Sequence, residues 1–229
     1  MSQNPSRRLG RRLPQLFVGL VLYALSIAMV VHPALGSMPW DVLSQGLSHQ
    51  FGWSLGTSVL VSSVGVLLCW IPLRQRPGVG TVANVVVIGV MVDPFVALLN
   101  LLPEQLPVVA RIALMLAGIG LNGLAGALYI GARLGPGPRD GLMTGLVART
   151  GGRVAPIRIG IELTVVVIGW ALGGTVGVGT VLYALSVGPI LGWLMPRFLV
   201  RLDHEPIPTT AAPREPAPRP GRLGPVRRR

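Results

Sequence analysis

The sequence predicts an all-α membrane protein of six transmembrane helices, arranged as two inverted-topology three-helix repeats. Three observations carry this prediction. Six apolar runs have spanning length, the chain matches itself without gaps at an offset of 99 residues, and the arginines keep to alternate connections.

The 229 residues are 51% hydrophobic and 12% charged, with a mean hydropathy of +0.63. A soluble domain of this size approaches a quarter charged residues. The apolar runs are Leu13–Val31, Leu55–Leu73, Thr81–Leu101, Val108–Ile130, Ile157–Gly174 and Thr180–Leu199. Each is near the roughly 20 residues that a hydrocarbon core requires. Between the first and second runs, and again between the fourth and fifth, lies a less hydrophobic stretch. Each opens with a Gly/Pro turn and continues in a helix-like pattern, so each repeat should carry a short helical or re-entrant segment after its first span. The organisation expected is a basic N-terminus (1–12), repeat 1 (13–101), repeat 2 (102–201) and a Pro/Arg-rich disordered tail (202–229). The opening SRRLGRRLPQLFVGLVLYAL has the look of a secretory signal. Its apolar run has a partner in mid-chain, which places it in the mature fold.

All 20 basic residues are arginine, against 8 acids, for a net charge of +12. Their distribution, not their number, is informative. Arg7, Arg8, Arg11 and Arg12 precede the first span; Arg74 and Arg76 fall in the second connection. Arg133, Arg139, Arg149, Arg153 and Arg158 fall in or beside the fourth, and the rest, Arg111 excepted, lie at the end of the last span (Arg197) or after it. The odd connections have none, apart from Arg111 just inside the fourth span. By the positive-inside rule both termini are cytoplasmic. This pattern points to a membrane, not to nucleic acid.

The self-match runs from Gly19–Gly89 onto Gly118–Gly188, with 20 identities in 71 positions, where chance would give roughly 7. LGSMPWDVLSQGL lies over LGPGPRDGLMTGL, and GVGTV over GVGTV. Each unit holds three spans, so the second must enter from the opposite face. Secondary transporters use this arrangement, with sites near the midplane where the repeats meet.

The matched turns hold the leading candidates for a substrate or ion pathway: Pro39, Asp41, Pro138, Arg139 and Asp140. An aspartate after a proline makes a good N-cap. The same acids could instead line a polar cavity at the tips of two half-helices. Glu162 lies one turn into the fifth span, where a carboxylate is costly unless paired; Arg158, four residues earlier, offers that pair. Asp93, before Pro94, reads as an acid at a proline break or one near the external interface. The paired turns Gly78, Gly80, Thr81 and Gly177, Gly179, Thr180 read as helix starts with a threonine cap, or as close backbone approaches to a ligand. Asn84, Asn100 and Asn122 should hydrogen-bond between helices. Cys69 reads as a packed thiol, lipid-facing or in the core, and His32 and His49 lack metal-ligand spacing, so neither a metal nor a cofactor is expected.

Together with the glutamate in RIGIELTVVVIGW and the PGVGT and GGTVGVGT turns, these elements resemble the bacterial YczE/YitT-type integral membrane proteins. The likeness covers Gly19 to Leu199, with GPRDGLM its most specific part. It implies a multi-pass plasma-membrane protein and supplies no substrate or catalytic residue. No P-loop, HExxH or GxSxG motif stands in a suitable context, so no enzyme is expected. The residues favour a small transporter or permease. The alternative is a non-transporting scaffold or regulator acting through other membrane proteins or its basic tail. The partners this allows are the lipid bilayer, a small-molecule or ion substrate, and a second copy of the chain.

Overall fold

The computed structural model describes residues 5–103 and 105–200; the expected tail at 202–229 lies outside the described residues. Eight helices and no strands occur among them: α1 (Pro5–Val31), α2 (Pro39–Phe51), α3 (Leu55–Leu73), α4 (Val79–Leu99), α5 (Val108–Gly131), α6 (Pro138–Thr150), α7 (Val154–Ala171) and α8 (Val178–Phe198). Six of them are long and apolar enough to cross a membrane, whereas α2 and α6, of 13 residues each, are not. Helix ends differ from the sequence reading by a few residues. α7 begins at Val154 and ends at Ala171, because Gly173 takes a left-handed φ of 95° just beyond it.

α1 and α5 form the centre. They run antiparallel, since the start of each lies at the end of the other. Arg12 donates through Nε to Ala132 O (2.8 Å) and through Nη2 to Arg133 O (2.7 Å) at the end of α5. Arg111 donates from both Nε (2.8 Å) and Nη2 (2.5 Å) to Pro33 O beyond the end of α1. Each guanidinium thus satisfies carbonyls that a helix C-terminus leaves open, and its charge suits the negative end of the dipole. This explains the one arginine that broke the pattern of connections. The helices approach closely at Gly19 and Gly118: a Cβ at Gly19 would lie 2.8 Å from Tyr129 N, and one at Gly118 2.8 Å from Val30 Cγ2. Small residues at such crossings are how membrane helices gain contact without a hydrophobic drive.

The outer helices pack around this pair: α4 on α1, α8 on α5, α2 on α7 and α6 on α3. The short helices end at Gly52 (φ 69°) and Gly151 (φ 66°), left-handed caps that glycine adopts without strain. Among the described residues every left-handed backbone position has its counterpart 99 residues away: Ala34 with Arg133, Gly36 with Gly135, Gly52 with Gly151, and Arg74 with Gly173.

The GVGT turns bring backbone close to backbone. Gly80 N donates to Leu134 O (2.8 Å), and Gly179 N to Leu35 O (2.9 Å). Each turn therefore docks on the LG turn that leads into the short helix of the other half. The threonines are not the N-caps expected. Gly78 and Gly177 hold that position, and Thr81 and Thr180 sit three residues on, their hydroxyls accepting from the Gly78 and Gly177 amides at 3.1 and 3.3 Å. Helical geometry begins at the valine between the glycines, which pushes the threonine into the first turn. Thr81 also donates to Pro136 O at 2.7 Å. Thr81→Val therefore removes two hydrogen bonds at a buried site and should destabilise the protein by about 1–3 kcal/mol. Thr180→Val removes one and should cost less, as thermal unfolding of the purified variants in detergent will measure.

Candidate functional site

The two short helices start side by side. Pro39 opens α2 and Pro138 opens α6, each at a position where its fixed φ suits the first turn and its missing N–H costs nothing. The N-caps are Met38 and Gly137, so Asp41 and Asp140 fall in the third helical position and neither caps its helix. The prolines start the helices three residues earlier than an aspartate cap would allow.

Between these tips lies a cavity of about 130 Å³. Its wall contains Pro39, Pro138, Arg139, Asp140 and Glu162 of the sequence candidates; Asp41 is fully buried directly behind it, and Asp93 lies elsewhere. Much of the wall comes in pairs 99 residues apart, among them Tyr23 with Asn122, Trp40 with Arg139, Ser63 with Glu162 and Asn84 with Tyr183. Tyr23, Tyr129 and Tyr183, the chain's 3 tyrosines, all line it. These aromatic residues and Trp40 were not among the sequence candidates. The signal available was the rarity of tyrosine here and its placement within apolar spans.

The charged groups are arranged in pairs, with one exception. Arg139 Nη2 stands 3.6 Å from Asp41 Oδ1, an ion pair beyond hydrogen-bond distance, and its guanidinium lies 5.1 Å from the centre of the Trp40 ring. Neither oxygen of Asp41 accepts a hydrogen bond from a described residue. Arg158 Nε meets Glu162 Oε1 at 2.9 Å, which bears out the pairing expected along α7. Asp140 Oδ2 accepts from the Tyr129 hydroxyl at 2.6 Å, and no cation pairs with it among the described residues. A polar relay supports the wall: Tyr183 donates to Asn122 Oδ1 (2.9 Å), Asn122 Nδ2 to Ser26 (2.9 Å), and Ser26 to Tyr23 O (2.6 Å). Trp70 fixes the entry to α6 by donating to Pro138 O at 3.0 Å, and it lies so close to Gly141 that no side chain fits there. No group of three or more potential metal ligands occurs among the described residues.

Asp93 has a different task. α4 runs through Pro94 without a break. The Asp93 carboxylate accepts from Ser54 Oγ (2.6 Å) and from the Gly56 amide (2.7 Å), tying α4 to the first turn of α3. At the equivalent places in the second half stand Gly192, Arg153 and Ala155, which provide no such tie. There α7 and α8 diverge, whereas α3 and α4 pack along each other. The cavity reaches into this divergence at Arg158, Ile161, Val187 and Leu191.

Residues 10–196 match the model of a protein family of unknown function, DUF6198. The chain belongs to this family. Curated relatives agree: an uncharacterized protein of Haemophilus influenzae is 38% identical over 194 residues, covering 82% of this chain and 87% of the relative. The uncharacterized membrane protein YczE of Bacillus subtilis is 33% identical over 198 residues, covering 86% and 91%. A second Bacillus subtilis protein, YyaS, is 23% identical over 180 residues, covering 78% and 90%. No solved structure matches. With its six apolar helices and its likeness to YczE, the chain is a multi-pass integral membrane protein of the YczE type. In a double-mutant cycle on Ser54→Ala and Asp93→Ala, the pair should show a coupling of about 0.5–3 kcal/mol in thermal unfolding, as expected for residues in direct contact.

Proposed function

We propose that this protein is a small permease of the bacterial plasma membrane, working by alternating access between two inverted repeats, with both termini cytoplasmic. The observation that carries this reading is the contrast between two equivalent helix pairs. α3 and α4 are tied together through Asp93, Ser54 and Gly56, while α7 and α8 stand apart with the cavity between them. With the arginine-rich ends on the cytoplasmic side, the tied end faces out and the open end faces in. A site closed on one side and open on the other, built from repeat counterparts, is the geometry that rocking one repeat against the other can invert. α2 and α6 serve as the broken elements, their positive ends directed at the cavity. The paired left-handed positions and paired wall residues support the repeats independently of sequence identity.

Labelling tests this without knowledge of the substrate. Cys69 is the only cysteine and is removed by Cys69→Ser. In that background, Ile161→Cys places a thiol on the cavity wall. An impermeant maleimide should reach it from the cytoplasmic face of oriented vesicles. Adding Asp93→Ala or Ser54→Ala should open the outer end and raise labelling from the external face several-fold. A cavity reachable from one face only in every variant would overturn alternating access and leave the scaffold reading in its place.

A further inference from the structure

We infer that the cavity binds a small zwitterion, its carboxylate held by Arg139 and its ammonium by Asp140. This rests on the permease reading above for the cavity's role, and it deepens that reading by naming the ligand class. The balance of charge around the cavity is the starting point. Two arginines face it, Arg139 and Arg158, against three acids, Asp41, Asp140 and Glu162. Glu162 answers Arg158 at 2.9 Å, and Asp41 answers Arg139 from behind the wall. Asp140 is left over. Its one hydrogen-bond partner among the described residues, the Tyr129 hydroxyl, is a neutral donor that brings no counter-ion. The cavity therefore has a place for one positive group.

It also has a place for an acceptor. Arg139 is a quarter exposed, and that exposure is to the cavity. Its contact with Asp41, at 3.6 Å, is too long for a hydrogen bond, and Trp40 covers one face of its plane. A guanidinium carries five donors in a planar fork that fits a carboxylate in two-point fashion. A plain anion on that fork would lie near Asp140, which has no ion-pair partner among the described residues. A plain cation at Asp140 would leave the fork unfilled and face its positive charge. A molecule with both ends satisfies both groups, and consecutive residues of one helix turn present them. The aromatic wall adds selectivity: Tyr23, Tyr129, Tyr183 and Trp40 line the cavity, and aromatic rings attract an ammonium, most strongly an alkylated one that is weakly hydrated.

Thermal shift of the full-length protein in detergent tests this with four probes: glycine betaine, glycine, tetramethylammonium and acetate. Both zwitterions should stabilise the protein at concentrations where the two simple ions do not, and betaine should act at lower concentration than glycine if the rings read the quaternary group. Asp140→Asn, which keeps an acceptor for Tyr129, should weaken betaine at least tenfold. Arg139→Lys keeps the charge opposite Asp41 but loses the fork, and should weaken it comparably. Equal stabilisation by a simple ion and the zwitterions would overturn the assignment. So would zwitterion binding that survives both substitutions, or no stabilisation by either zwitterion in a folded, monodisperse protein. Alternating labelling without zwitterion binding refutes this ligand class alone. Zwitterion binding in a protein whose cavity never changes face refutes the permease and leaves the site.

Discussion

Everything at the centre of this protein depends on two backbone hydrogen bonds, from Gly80 to Leu134 and from Gly179 to Leu35. The turn that leads into each short helix leaves backbone polar groups that need partners. Here each turn is satisfied by the glycine-bearing start of a spanning helix from the other half. Glycine is required on both sides, because Gly36 and Gly135 hold left-handed φ values of 115° and 135° and have Gly177 and Gly78 within van der Waals contact. The bond fixes where α2 and α6 begin, and so fixes where Pro39, Pro138 and the residues after them stand.

On this common frame the two halves have diverged in charge. Counterpart positions read Trp40 and Arg139, Val59 and Arg158, Ser63 and Glu162. Repeat 1 brings aromatic, apolar and hydroxyl groups to the cavity, and repeat 2 brings nearly all of its ions. The same division separates Asp93, whose carboxylate ties α4 to α3, from Gly192, which leaves α8 free of α7. The turns thus match between the two halves while their chemistry does not.

The sequence made the frame legible because the frame is written in turns. Gly, Pro and Thr at matched spacing have few conformational alternatives, so LGxxPxD marked the starts of the short helices and GVGT the starts of spanning ones within a residue or two, while the docking of one on the other appears only in the folded chain. The spans were legible because water and hydrocarbon impose length and composition. The cavity wall was only partly so. Arg139, Asp140 and Glu162 stood out as ions in apolar surroundings, but Tyr23, Tyr129 and Trp40 look like any aromatic residue of a membrane helix until the chain is folded. The contact that Asp93 makes was hidden for the same reason. Its partners, Ser54 and Gly56, are 39 and 37 residues away, and no local pattern announces a contact made across two helices.

The reciprocal arginine clasps at the ends of α1 and α5 have a mechanical meaning. Arg12 and Arg111 each bind the far end of the opposite helix, and glycines bring the two helices into direct backbone contact between those ends. Two antiparallel helices tied at both tips and in contact between them resist sliding along one another. They form the seam on which the two halves meet. The elements on its flanks are held less, and α7, with the smallest buried share of the six spans, is the least encumbered of them.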